Sequence, residues 1–200
     1  MMTVKNRMEV KMNAEIRAEN ALMKLLENYS LDRITVKMIS AEAGITRQTF
    51  YYHFLSKQKL AENCLKGRIR KIVRNNSQQN EAWLGVFRDL LQYAVRNRNI
   101  LLNLYRSAWQ DDFEKLIHAE FNDIMAAAVL SCAGQLKIPL TEVNCVFVTK
   151  VYEHILAGIF IDCMENGLKT DAATVARRMQ SVLGGMVERS LRSFQTVRGS

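Results

Sequence analysis

A short stretch beginning at Arg47, RQTFYYH, carries side chains whose types suit the recognition of another molecule. If it forms a helix, residues follow one another at about 100° intervals, so Phe50 and Phe54 lie within about 40° of each other on a buried side. The other side chains then present guanidinium, amide, hydroxyl and phenol groups, which can bond phosphate oxygens and base edges. The candidate contact residues are Thr46, Arg47, Gln48, Thr49, Tyr51, Tyr52 and His53.

The residues before this stretch place it on the second helix of a pair. The hydroxyl of Thr35 is suited to cap a helix whose apolar stripe contains Val36 and Ile39. Gly44 ends that helix, because a residue without Cβ readily takes the left-handed conformation of a helix C-terminus. Thr46 then caps the next helix. This spacing is typical of a helix-turn-helix, whose second helix enters the DNA major groove, and Thr35 joins the candidate contacts.

A further helix is predicted to start directly behind the pair. Ser56 is a suitable cap, and Lys57 falls in the first turn of a helix expected over residues 56–75. A helix N-terminus that carries a lysine suits a phosphate oxygen, so Lys57 is also a candidate DNA contact. The alternative is a helical hairpin without functional meaning. The agreement of several independent signals favours DNA binding.

This segment resembles the DNA-binding domain of the tetracycline-repressor (TetR) family. The resemblance is carried by residues 35–36, 39–46, 49–54 and 56–60. The chain departs from the family's usual pattern at Ser30 and Ser40, where glycine and alanine are usual. The resemblance implies an all-α fold of about nine helices, with an N-terminal three-helix helix-turn-helix domain and a larger C-terminal helical domain for ligand binding and dimerisation. It also implies a homodimeric transcription regulator that binds double-stranded DNA at a pseudo-palindromic operator and responds to a small-molecule effector.

Composition and charge agree with this interpretation. A single proline and nine glycines leave few helix breakers, which favours long helices over a multi-stranded sheet. Residues 1–75 hold 15 Lys and Arg against 7 Asp and Glu, whereas the remainder holds 13 against 13. The whole net charge of +8 therefore lies with the helix-turn-helix, as a nucleic-acid partner requires. A basic face also suits an anionic membrane or simply aids solubility, and the motif decides for DNA.

The chain is predicted to divide into two domains. Residues 1–60 form the DNA-binding domain, and the helix over 56–75 connects it to the rest of the chain. Residues 76–200 form the ligand-binding and dimerisation domain, which starts within a polar run that is a helix break.

The end of the chain carries the predicted dimer interface. A helix over residues 143–161 is almost free of charge, so it must be buried on several sides. A last amphipathic helix is capped near Asp171 and extends to Phe194. In the resembled family the last two helices form a four-helix bundle between two subunits, and we expect the same homodimer here.

Aromatic residues are distributed over most of the helices assigned to the second domain. Core packing is the safer interpretation of any single one, but pockets between bundle helices are lined by such residues. Together they predict a mostly apolar effector pocket, with Tyr105, Tyr152, His118 or His154 supplying its polar contacts. The candidate ligand-binding residues are Trp83, Phe87, Tyr105, Trp109, Phe121, Phe147 and Tyr152.

The sequence carries no recognisable catalytic or metal-binding motif, such as a Gly-rich phosphate loop, a nucleophile elbow or H-E-x-x-H. Its four cysteines have no C-x-x-C pairing and no ligand spacing with histidine, so neither a cofactor nor a metal is predicted. Charged residues interrupt the N-terminus, and the charge-free run 124–136 is too short to cross a bilayer. We expect a reduced, cytoplasmic protein that is not an enzyme and has no membrane partner.

Three functions fit these patterns, in order of preference. The first is a ligand-responsive repressor. The second is a transcription activator or DNA-bound adaptor of the same fold that answers to a protein partner. The third is a helical enzyme or carrier with an inherited DNA-binding domain.

Overall fold

The computed structural model describes residues 4–76 and 82–196, and this part of the chain is helical without any strand. The all-α prediction is confirmed. The helices are α1 (Val4–Leu26), α2 (Val36–Ala43), α3 (Arg47–His53), α4 (Lys57–Asn76), α5 (Ala82–Arg96), α6 (Arg98–Tyr105), α7 (Gln110–Leu136), α8 (Glu142–Glu165), α9 (Ala172–Leu183) and α10 (Met186–Thr196).

Two compact units divide the chain. The first contains the residues up to Arg68 together with Asn97–Phe113, and the second contains Ile69–Arg96 and the residues from Glu114 onwards. The division differs from the predicted domains, because α6 belongs to the same unit as the helix-turn-helix. The predicted boundary followed a polar run, residues 75–80, most of which lies outside the described residues. A polar run in a sequence carries no information about which helices pack together.

In the first unit, α1 packs against α2, α3 and α6. Its core is built from side chains that are wholly shielded from solvent: Leu22, Leu26, Ile34, Ile39 and Phe50. Burying side chains of this size stabilises a fold by about 1.5–3 kcal/mol each, which is what fixes the short helices α2 and α3 in place. Helices this short are marginal without such packing.

In the second unit, α5 packs against α9 and α8 packs against α10. Aromatic rings fill much of its interior: Phe87 lies 6.0 Å from Phe121, and Phe121 lies 5.9 Å from Phe160 between ring centroids. By length and composition alone α7 and α8 could each cross a membrane, a test that core helices of soluble proteins also pass. Both contribute buried side chains to this unit, among them Met125 and Leu156.

The predicted last helix is divided in two. Asp171 caps α9 by accepting hydrogen bonds from the backbone N–H groups of Ala173 and Thr174 (3.2 and 3.0 Å). The helix then stops at Gly184, and Gly185 has a φ of +71°, in the region that favours glycine. The apolar periodicity runs through both halves, so periodicity alone did not reveal the break.

Candidate nucleic-acid interface

Local hydrogen bonds fix the two helices of the helix-turn-helix. The Oγ1 atom of Thr35 accepts the backbone N–H of Met38 at 3.2 Å, and Oγ1 of Thr46 accepts that of Thr49 at 3.0 Å. Gly44 lies between them with φ 62° and ψ 38°, and its N–H returns to the carbonyl groups of the helix it ends. Each cap satisfies backbone groups that a helix end leaves unpaired.

Helix α3 has the two sides that its sequence predicts. Phe50 is fully buried and Phe54 nearly so, with their ring centroids 5.5 Å apart. Arg47 and Gln48 are exposed, and Tyr52 is 74% exposed. A guanidinium, an amide and a phenol thus lie on the solvent side of a helix that is fixed from behind, which is the arrangement that base reading requires.

The remaining candidates are Tyr51 and Thr49 on α3 and the two helix caps, Thr46 and Thr35. Tyr51 is 51% exposed and stands edge-on to the ring of Phe50 at 5.5 Å. The exposed hydroxyl of Thr46 lies 2.9 Å from that of Thr49, so these two groups bond each other as well as the helix end. Thr35 is exposed at the start of α2. Sequence reasoning passed over Leu55, which is 86% exposed directly after α3 and offers an apolar contact beside the polar face.

His53 differs from the exposed candidates Arg47, Gln48 and Tyr52 because its side chain is turned towards α1. Its side chain is only 3% exposed, and its Nδ1 atom is 2.9 Å from Oε1 of Glu15 on α1. The geometry therefore gives His53 a partner within the protein and adds no support to its predicted contact with DNA. His53 follows Tyr52 by about 100° around the helix, which turns it towards α1.

Lys57 is engaged within the protein. Its Nζ atom donates to the backbone carbonyl groups of Leu31 (2.7 Å), Asp32 (3.2 Å) and Ile34 (2.7 Å). The cap predicted beside it is present, since Oγ of Ser56 accepts the N–H of Lys59 at 3.1 Å.

Comparison with known families agrees with this geometry. A family model described as "Bacterial regulatory proteins, tetR family" matches residues 20–64, which contain α2 and α3. A second model, "Transcriptional regulator C-terminal region", matches residues 81–185, more than half of the chain. The chain belongs to the tetR family of transcription regulators. No curated protein sequence matches it.

Two solved structures share the fold of this tetR-family regulator. The first is the dihydroxyacetone kinase operon activator DhaS, with a TM-score of 0.69, 15% identity, and coverage of 88% of this chain and 96% of that one. The second is NalD, the secondary repressor of the MexAB-OprM multidrug efflux pump in Pseudomonas aeruginosa, with a TM-score of 0.58 and the same identity and coverage. At this identity the likeness concerns the fold alone.

The seven aromatic candidates of this tetR-family regulator do not form one group. Four of them, Trp83, Phe87, Phe121 and Tyr152, are buried in the second unit, where the rings of Trp83 and Tyr152 lie 6.1 Å apart. Tyr105 and Trp109 belong to the first unit and pack on Phe113 at 5.5 and 6.1 Å. The helical spacing of Tyr105 and Trp109 indicated that both side chains are buried, but it carried no information about which core each side chain enters.

Phe147 belongs to neither core. It is 61% exposed on the outer side of α8, where it lines an open depression with Glu142, Val143, Val146 and Lys150. The near absence of charge in this helix predicted burial on several sides. The exposed side of α8 instead carries apolar residues.

Two of the four polar residues expected to serve the effector pocket, His118 and His154, lie at one carboxylate. Glu153 is fully buried, and its Oε1 atom lies 2.5 Å from Nδ1 of His118. Nδ1 of His154 bonds the Lys150 carbonyl at 2.8 Å and lies equally close to Oε2 of Glu153 without the alignment of a hydrogen bond. The hydroxyl of Tyr152 instead pairs with Oγ of Ser190 at 2.9 Å.

Neither a metal site nor an activated thiol is found at the two buried cysteines, Cys64 and Cys163, in the part of the chain that the structure describes. Within residues 4–76 and 82–196, no group of three His, Cys, Asp or Glu side chains is placed to hold a metal ion. Burial raises the pKa of the Cys64 thiol to about 12, with the nearby charge of Glu19 adding to the effect. Burial also raises the pKa of Cys163. Thiols of this kind are largely protonated at neutral pH and react slowly.

Proposed function

We propose that this tetR-family regulator is a cytoplasmic homodimer that represses transcription from a pseudo-palindromic operator and is released from it by a small-molecule effector. One observation carries the proposal: α3 presents Arg47, Gln48, Tyr51 and Tyr52 to solvent over a buried Phe50. Two such helices related by a two-fold axis read half-sites separated by about one turn of DNA or a multiple of it. The positive charge of the first 75 residues supports attraction to the phosphate backbone.

The dimer is proposed to form through the exposed side of α8 together with α9 and α10. Val143, Val146, Phe147 and Val151 follow one another along α8 with exposed fractions of 76, 55, 61 and 42%. Val182 on α9 is 66% exposed. Apolar side chains spaced by three and four residues form one stripe on a helix, and an exposed stripe of this kind is typical of a protein interface.

The effector is proposed to bind in the second unit, among Trp83, Phe87, Phe121 and Tyr152. These four residues are what remains of the predicted pocket once Tyr105, Trp109 and Phe147 are assigned elsewhere. Binding there would release the operator only if the effector favours a dimer whose two recognition helices have the wrong spacing.

Selection of binding sites from random duplex DNA tests the DNA-binding part of the proposal. Enrichment of an inverted repeat with half-sites about one helical turn apart is the expected result. Enrichment of a single unrepeated site, or of none, would contradict it. A reporter gene placed behind the selected operator then separates repression from activation. A second function, activation of transcription, is kept because DhaS, which shares the fold, is named an operon activator.

The effector part has its own test. A thermal-shift screen of small molecules is expected to identify a compound that raises the melting temperature and releases the operator. Replacing Phe121 or Tyr152 by Ala should raise the effector concentration that this release needs, while affinity for DNA without effector stays within a few-fold. An unchanged response in both variants would place the effector site elsewhere.

A further inference from the structure

The loop 31–34, between α1 and α2, exchanges hydrogen bonds with two parts of the chain that are distant in sequence. On one side the Lys57 ammonium donates to the carbonyl groups of Leu31, Asp32 and Ile34, at 2.7, 3.2 and 2.7 Å. An ammonium group has three protons, so three acceptors use all of them. The Lys57 ammonium, for which the sequence predicts a phosphate contact, therefore already has three acceptors inside the protein.

On the other side, α6 and the turn that follows it bond the same loop and the end of α1. The N–H of Leu31 donates to the Asn103 carbonyl at 3.0 Å, and the Asn103 amide donates to the carbonyl of Leu26 at 2.8 Å. The N–H of Ala108 lies 3.2 Å from both carboxylate oxygens of Asp32. All of these residues belong to the first unit.

The loop itself is anchored in the core, since the side chains of Leu31 and Ile34 are both buried. Losing the ammonium would remove a part-buried hydrogen bond from the Ile34 carbonyl and one of the two hydrogen bonds of the Leu31 carbonyl, which also accepts the Ile34 N–H at 3.2 Å. Removing a partner from a part-buried carbonyl is costly because desolvation is not recovered. Hydrogen bonds to a charged donor are also stronger than those between neutral groups. The loop therefore depends on both of its neighbours, Lys57 and the segment Asn97–Phe113.

We propose that loop 31–34 is a clasp that joins the helix-turn-helix to α6, and that Lys57, Asn103 and Asp32 are positioning residues for DNA binding rather than contacts to DNA. Lys57 starts the helix directly behind α3, and Thr35, the cap of α2, directly follows the loop. Residue 108 lies two positions before the start of α7, whose length is largely in the second unit. The clasp thus joins residues 103–108 to the DNA-binding helices by hydrogen bonds within the first unit.

Hydrogen exchange of the full-length protein without DNA tests the clasp directly. Lys57→Met keeps the aliphatic stem but removes the ammonium. Exchange of the Leu31 and Ala108 amides should become about tenfold faster or more, because losing a hydrogen bond to a charged group changes an equilibrium constant by about that factor. Asn103→Ala keeps the backbone carbonyl that bonds Leu31 but removes the amide that holds the end of α1 at Leu26. If this amide positions the clasp, exchange should speed at Leu31 and also at Leu60, in the first turn of α4. The matched controls are Lys59→Met, an exposed lysine paired with Glu62, and Asn166→Ala, whose amide bonds a carbonyl in the second unit.

The dependence of DNA affinity on salt separates positioning from phosphate contact. If the clasp positions the DNA-binding helices, Lys57→Met and Asn103→Ala should each weaken operator binding by about tenfold and leave the slope of log affinity against log salt concentration unchanged. The loss of affinity in the double variant should be smaller than the sum of the two single losses, expressed as free energies. A slope reduced by about one in Lys57→Met, with exchange at Leu31 and Ala108 unaltered, would identify Lys57 as a phosphate contact and overturn the proposal.

Further variants decide the question if Lys57→Met is unstable. If Lys57→Met does not fold, Asn103→Ala and Asp32→Ala replace it, and normal exchange at Leu60 in both variants overturns the proposal. The inference rests on the proposed function only for its DNA arm. Absence of DNA binding by the unaltered protein would refute the proposed function, whereas the exchange result would still decide whether the clasp exists.

Discussion

Gln48 is the residue on α3 whose chemistry is most specific to base reading, because its amide can both donate to and accept from one adenine edge. Gln48→Ala should cost about 1–3 kcal/mol of binding free energy on the selected operator and little on random DNA. Fluorescence anisotropy on both duplexes measures this difference. Gln58→Ala, an exposed glutamine on α4, is the matched control and should change neither affinity. Equal losses on operator and random DNA would show that Gln48 does not read bases.

Cys64 provides a second prediction at the residue scale. Its pKa of about 12 lies above the ordinary value of 9.0, so burial of the neutral thiol stabilises the fold fully below about pH 9, and this contribution is lost as the pH rises towards 12. Alkylation by iodoacetamide at pH 8 should therefore be much slower at Cys64 than at the half-buried Cys132 and Cys145. Peptide mapping by mass spectrometry measures the three rates, and fastest labelling of Cys64 would contradict the prediction.

At the scale of the element, the end of α2 depends on a glycine for its backbone rather than for its small size. A Cβ built on Gly44 would meet only Arg17 Nη1 at 3.8 Å, so there is room for a side chain. Its φ of +62° is the reason for glycine, and Gly44→Ala should lower the free energy of unfolding by about 1–2 kcal/mol. Gly67→Ala is the control, because Gly67 lies within α4 with nothing within 4 Å of a Cβ. That change should raise stability by about 0.5–1 kcal/mol. Urea unfolding measures both, and a stabilised Gly44→Ala would refute the argument.

At the scale of the whole molecule, Gly158 tests the proposed dimer surface. It lies along α8 beyond Val151 and His154 on the same exposed side, and a Cβ there would meet nothing within 4 Å in its own chain. Gly158→Leu should not harm the fold of one subunit, since leucine forms helices better than glycine by about 0.8–1 kcal/mol. If a second subunit packs closely on this side, the added side chain should weaken the dimer.

Light scattering over a range of protein concentrations measures that effect. Gly134→Leu on α7 is the control, because that position is equally open and lies on another helix. We expect the control to remain dimeric and Gly158→Leu to dissociate at concentrations at least tenfold higher than the unaltered protein. Equal dissociation of the two variants would place the interface away from α8.

What the sequence determined by itself was everything that depends on residues close together in the chain. The caps at Thr35 and Thr46, the left-handed Gly44 and the buried side of α3 at Phe50 all follow from hydrogen bonds and periodicity within a few residues. Such local interactions are present in any fold that contains the segment, so they can be read without knowing the rest. The family followed from the same segment for the same reason.

Only the tertiary structure decided which partner each helix meets. In the tertiary structure His53 pairs with Glu15, and the Lys57 ammonium bonds loop 31–34. Tyr105 and Trp109 belong to a different core from Trp83 and Phe121. Apolar periodicity indicates that a side is buried, but many helices offer an equally good apolar surface to bury it against. The bond between the Asn103 amide and the carbonyl of Leu26 joins residues 77 positions apart, and neither residue carries a local signal for the other. Packing of the whole chain selects such pairs, because only there do the competing burial and hydrogen-bond energies of all helices balance together.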